Sequence, residues 1–157
     1  MPTSSWDAVV ARIVAQMRTI AGIGVVSDQA RLLDHADRLE ELLSVIGGER
    51  RLRAWFVSLA RMRTGPASAG PDMDWTREVR IEGFLQFEDG QGSEKLAISL
   101  AESVIRTLHD DLRATKLGGT VLSGGPGSIV DTTPRLFGGL VCSYVQIGFP
   151  VHTVETA

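Results

Sequence analysis

The pattern of the chain predicts an α+β domain: a small, mostly antiparallel sheet of about four strands flanked by helices, with two helices at the N-terminus. Three stretches carry this expectation. In Leu136-Phe-Gly-Gly-Leu-Val-Cys-Ser-Tyr-Val-Gln-Ile-Gly-Phe-Pro-Val-His-Thr-Val154, Leu140, Cys142 and Tyr144 fall on one side of an extended chain. Val141, Val145, Ile147 and Phe149 fall on the other, as a long central strand covered on both faces requires. Arg77–Phe87 alternates, with Val79, Ile81, Leu85 and Phe87 set against Arg80, Glu82 and Gln86, so one face looks inward and the other carries charge. Between the two, Leu96, Leu100, Val104, Ile105, Leu108 and Leu112 follow Ser93 at the spacing that buries one stripe of a helix.

Size and composition bound what such a domain does. The 157 residues fit one domain, 1–157, with a substantial core, and are too few for two. Hydrophobic residues make up 43% and charged residues 22%, the balance of a globular chain rather than a disordered one. A formal charge of −3 argues against a surface wholly built to hold nucleic acid, which needs a concentrated basic field. The single cysteine, Cys142, excludes an intrachain disulfide, and its apolar surroundings predict a buried, inert thiol in a cytosolic setting. Met1–Asp7 lacks the basic start and apolar run of a secretory signal, and nowhere do eighteen apolar residues run together, so no membrane partner is expected. With 14 Arg against 2 Lys, the choice of basic residue reads as genomic base composition before recognition.

In chain order, Ser4 or Ser5 caps a first helix whose Val9, Ile13, Val14, Met17 and Ile20 share a side, ending near Gly22. Ala21–Val26 is an apolar link or short strand; its Gly22-x-Gly24 pair lacks the third glycine and the preceding strand of a dinucleotide site. From Asp28 to Ile46, Leu32, Leu33, Ala36, Leu39, Leu42 and Leu43 recur at helical spacing and predict a second helix, stopped by Gly47-Gly48. His35 has no second histidine or cysteine at i+3 or i+4 and so lacks the usual metal pairing. Leu52–Met62 reads as a strand with Trp55, Val57 and Leu59 on one face and Phe56 and Ser58 on the other; helix is the competing reading because Ala, Leu, Arg and Met favour it. Gly65-Pro-Ala-Ser-Ala-Gly-Pro71 then forms an exposed loop, joining the Trp55 and Val79 strands in a hairpin.

Seven of the sixteen basic residues, Arg50, Arg51, Arg53, Arg61, Arg63, Arg77 and Arg80, gather on that hairpin. A solvated face or subunit salt bridges account for them more simply than nucleic acid does; Trp55 and Trp75 fit the core better than base stacking. His109-Asp-Asp111 near the end of the central helix shares a face only in part and lacks further metal ligands. Gly124-Gly-Pro-Gly-Ser128 invites comparison with a phosphate cradle, but no lysine follows and the chain runs on to Pro134. Ser128 lacks the flanking pattern of a nucleophile elbow and has no tie to His109 or His152. No catalytic, metal or cofactor residues are assigned.

The order of two N-terminal helices, a tryptophan-bearing hairpin, a Val79-Arg-Ile-Glu-Gly-Phe84 strand, a helix and the Leu136–Val151 segment resembles the tail terminator, or tail completion, proteins of long-tailed bacteriophages and phage-like elements. The resemblance implies an α/β subunit that assembles into a hexameric ring on the head-proximal end of the tail tube. There it stops tube polymerisation and offers a surface to the head connector, with DNA only as cargo passing through the lumen. The implied partners are further copies of the chain, the tail tube protein and the head–tail connector, and the implied place is the virion, assembled in the host cytoplasm. No active-site residues transfer, and the protein is not expected to be an enzyme. Loops Arg63–Asp74 and Ser123–Pro134 are the expected contacts, with Arg51, Arg53, Arg61, Arg63, Asp72, Asp74, Arg77, Gly124, Gly125, Ser128, Asp131 and Arg135 as interface candidates. Three alternatives stand beside this: another connector or tail-tube subunit, a small ligand-binding or enzymatic domain using His109, Asp110 and His152, and a nucleic-acid-binding regulator acting through the arginine-rich hairpin.

Overall fold

A computed structural model describes residues 5–28, 42–46, 49–66, 73–87, 92–112, 116–117, 120–124 and 126–155. Among these the elements are α1 (Ser5–Met17), β1 (Val25–Ser27), β2 (Leu43–Ile46), β3 (Glu49–Pro66), β4 (Met73–Gln86), α2 (Ser93–Leu112), β5 (Lys116–Leu117), β6 (Thr120–Gly124), β7 (Ser128–Asp131), β8 (Arg135–Phe137) and β9 (Leu140–Glu155). All nine strands join one sheet. Its spine runs β1-β3-β4-β9-β6-β5, with β2 added on β3, and β7 and β8 on β9.

This corrects the expected architecture. Among the described residues the sheet has nine strands, not about four, and it is mixed, because β1 runs parallel to β3 while the other pairs are antiparallel. Among the described residues there are two helices, α1 and α2, and only α1 is N-terminal. Most of the expected second N-terminal helix lies outside the described residues, but its last four, Leu43–Ile46, form β2 and pair with Glu49–Leu52. Helical spacing cannot distinguish so short an apolar run, and β-branched Val45 and Ile46 favour the extended form.

Each long element has a local cause. In α1 the stripe Val9, Val10, Ile13, Val14 and Met17 is buried, and Asp7 sits in the first turn, where a carboxylate meets the positive end of the helix dipole. In α2, Ala97, Leu100, Ala101, Val104, Leu108 and Leu112 are buried. Both helices cover one face of the sheet, where they meet Trp55 and Val57 of β3, Val79, Ile81 and Leu85 of β4, and Val145, Ile147, Phe149 and Val151 of β9. Arg12 of α1 and Asp111 of α2 close this layer with a two-pronged ion pair, Nε to Oδ2 at 2.9 Å.

Trp55 is fully buried at the centre of that core, and its indole N–H donates to the Ile23 carbonyl at 2.9 Å. Its partner across β4 is Gly83. A Cβ at Gly83 would stand 2.6 Å from the indole ring, so the missing side chain is the space the ring occupies. On the opposite face a second cluster is confined to one end of the sheet. Leu42, Leu52, Ala54, Phe56, Phe84, Cys142 and Tyr144 are buried there, and Phe137 of β8 stacks on Phe84 at 4.3 Å between centroids. That end is therefore covered on both faces.

Candidate functional site

At the other end β3 runs on past its cover along β4. Every residue of β3 from Leu59 to Thr64 is exposed, so this stretch of β3, the arm, is wet on both faces, while β4 beside it stays paired to β9. A β-bulge between Leu59 and Arg61 sets its chemistry, because the extra residue exchanges the two faces of the strand. Before the bulge Trp55, Val57 and Leu59 share the helix side with Gly83, Ile81 and Val79; after it, Met62 and Thr64 take that side opposite Arg77 and Trp75. Arg61 and Arg63 are thereby turned to the open side, opposite Glu78 and Thr76. Arg61 lies 3.8 Å from Glu78, a long and exposed pair of little energetic weight. No acidic group among the described residues pairs with Arg63.

The far side of the sheet ends differently. The edge of β9 is tiled in turn by β8 at Leu140–Cys142, β7 at Gln146–Gly148 and β6 at Val151–Val154. Among the described residues β7 and β8 have no other strand partner. They expose apolar side chains, Val130 at 60% and Leu136 at 75%. A small polar network holds this edge to the sheet. The Tyr144 hydroxyl donates to Glu82 at 2.7 Å and lies 3.1 Å from the Gln146 amide, while the Arg135 guanidinium lies 4.0 Å over the Tyr144 ring and donates to Asp131 at 3.0 Å. The Thr133 backbone N–H, donating at 2.8 Å, is the main reason the Asp131 carboxyl titrates below its ordinary range, with Arg135 adding to it. Burial, then the Glu82 carboxylate, raises the Tyr144 phenol above its ordinary value, so it stays a donor. Between the arm and this edge lies an open trough of about 420 Å³ lined by Ala60, Glu78, Arg80, Val130, Gln146, Gly148 and others.

The twelve interface candidates separate into distinct roles. Arg61, Arg63 and Ser128 are exposed, and Asp131 and Arg135 form the ion pair just described. Arg53 reaches back to donate to the Gly22 carbonyl at 2.7 Å, and Arg51 sits half-buried beside it around a small cleft at the start of α2. Arg77, 2% exposed, bonds the Thr153 hydroxyl at 2.8 Å and lies 5.0 Å over the Trp75 ring, so it fastens β4 to β9 rather than facing a partner. Asp74 is half-buried, 3.4 Å from His152. Gly124 ends β6 opposite Val151; Asp72 and Gly125 lie outside the described residues. The seven-arginine cluster is thus split between internal fastenings and a charged arm.

The two loops assigned to contacts are shorter than the sequence implied. Arg63–Pro66 and Met73–Asp74 belong to β3 and β4, and the Ser123–Pro134 stretch contains the end of β6 and all of β7. Gly127 is needed for close approach: a Cβ there would come within 2.7 Å of the Phe149 ring and 3.2 Å of Ile105. Gly127 is therefore spent on packing against Phe149 of β9 and Ile105 of α2, a cause composition alone does not reveal. Other features missed in sequence are the bulge and the tiling of β9, since no residue pattern announces either.

The enzymatic alternative finds no convergence. His109 and Asp110 lie on α2, over the helix-covered face, whereas His152 pairs with Asp74 on the open face. Among the described residues no three His, Cys, Asp or Glu side chains are grouped to hold a metal, and no helix is long and apolar enough to cross a membrane. No protein-family model matches this chain, and no curated protein matches it.

Proposed function

We propose that the chain is a structural subunit of a virion tail, of the tail-terminator kind, closing head-to-tail into a hexameric ring on the head-proximal end of the tail tube and offering its other surface to the head connector. One observation carries this reading: the two sides of the sheet end in unlike open edges, a charged arm on one and an apolar, loop-bordered edge on the other. A ring subunit needs two different, complementary patches, since a heterologous contact closes only when its rotation does. The covered end of the sheet supplies a rigid base from which both edges are held. The shape of the chain serves contact between proteins, with DNA as passing cargo.

The deciding experiment is a solution mass measurement followed by negative-stain imaging, alone and with purified tail tubes. A six-fold ring, or a ring-sized cap that stops tube growth, is expected. Long filaments would identify a tube subunit instead. A chain that stays monomeric both alone and with tubes would overturn the proposal.

A further inference from the structure

We infer that the ring is closed by strand addition: the outer edge of β3 along the arm pairs with the outer edge of β7 in a second copy, continuing one sheet from subunit to subunit. This rests on the ring reading and goes beyond it by naming the surfaces that meet. Among the described residues β1 meets β3 only at Ala54–Phe56 and β2 only at Glu49–Leu52. Among the described residues the edge from Val57 to Pro66 therefore has no strand outside it, a row of backbone groups that another chain can complete.

Charge selects the occupant. Two arms paired antiparallel about Met62 would set Arg61 of each against Arg63 of the other on the same face, an arrangement of like charges that opposes pairing. The β8 edge carries Arg135 and fits no better. β7 has no basic residue and ends in Asp131, beside exposed Ile129 and Val130. Asp131 already accepts from Thr133 on Oδ1 and from Arg135 on Oδ2, yet each carboxylate oxygen has a second lone pair for an incoming guanidinium. The arm brings to the same contact Arg63, which has no ion-pair partner among the described residues, and the exposed Leu59 and Met62. A basic arm with apolar neighbours thus meets an acidic, apolar strand, and the two edges lie on opposite sides of the sheet, as a closing ring requires.

The test uses the full chain with cysteines at two exposed positions, Met62→Cys and Ile129→Cys, and a short bismaleimide that tolerates a register offset of one residue. Cys142 does not compete, because it is buried and burial pushes its thiol up to about 11. The double variant should give a ladder of covalent oligomers, and a mixture of the two single variants should give heterodimers. Neither single variant alone should cross-link. Charge reversal adds a second readout: Arg63→Glu and Asp131→Lys should each cut cross-linking about tenfold, and the two together should restore it. Homodimers from Met62→Cys alone would overturn the proposal in favour of arm-to-arm pairing. A six-fold ring without cross-links in the double variant would overturn this contact and leave the ring standing, whereas absence of both ring and cross-links, with or without tubes, would end both.

Discussion

One strand, β3, behaves as core at one end of the molecule and as surface at the other. In the covered end β3 and β4 present Trp55, Val57, Ile81 and Gly83 to two helices and Phe56 and Phe84 to an aromatic cluster. In the arm β3 carries Arg61, Met62, Arg63 and Thr64 into water on both sides, with the bulge at Leu59/Arg61 marking the passage, while β4 beside it stays paired to β9. The backbone pairing is continuous across the change, so pairing is not what distinguishes the two ends. What differs is cover, and cover decides which substitutions unfold the protein and which alter only what it touches.

The largest effect is expected at the most enclosed side chain. Trp55→Ala should destabilise by about 3–5 kcal/mol, through lost burial, a cavity and an unmet Ile23 carbonyl. Thermal and denaturant unfolding measure it, and a loss under about 1 kcal/mol would mean that the covered end is not the stabilising one.

Gly83→Ala comes next, at about 1–3 kcal/mol, because its Cβ intrudes on the indole. The two changes should couple. In a Trp55→Ala background the added methyl enters the space the ring has left, so Gly83→Ala should cost much less there, and a double-mutant cycle on stability reads the difference. Additive effects would show that the ring and the glycine do not share that space.

The covered end was also the legible end. Alternation in Arg77–Phe87 and in Leu140–Phe149, and the helical stripe after Ser93, each reflect a face pressed against a core, and periodicity reports faces. It is silent on β5, β7 and β8, two to four residues each, too short for a period to emerge, whereas the run Gly118–Ser123 reads as a short strand and overlaps β6. It mistook the Leu43–Ile46 run for helix because the leucines before it set a helical rhythm that the β-branched pair then breaks. The candidate site was least legible. Seven arginines near one another in sequence read as one patch, yet Arg53 and Arg77 turn back into the molecule while the bulge throws Arg61 and Arg63 outward. A one-residue shift of phase of that kind depends on strand partners far away in the chain.

A smaller effect is expected where the helix layer is fastened at its rim. Arg12→Gln removes the two-pronged pair with Asp111, whose hydrogen bond holds the guanidinium protonated even above its ordinary range. The pair is partly open to water, so the loss should be about 1 kcal/mol or less and should shrink further in high salt. A loss as large as that at Trp55, unchanged by salt, would place the rim among the enclosed contacts and blur the contrast between the two ends.

The smallest effect on stability belongs to the arm. Arg63→Ala and Met62→Ser remove exposed side chains with no described ion-pair partner and little buried area, so each should change unfolding free energy by less than about 0.5 kcal/mol. Assembly is where they should register. The arm's outer backbone groups have water on one side and β4 on the other, so their amides should exchange fast in the monomer and slow on ring formation, while the amide of Trp55 exchanges slowly in both. Hydrogen exchange with and without assembly follows both regions in one sample. If the arm were protected in the monomer to the same degree as Trp55, its edge would already be occupied within the chain, and neither the ring contact nor the division of the sheet into core and arm would hold.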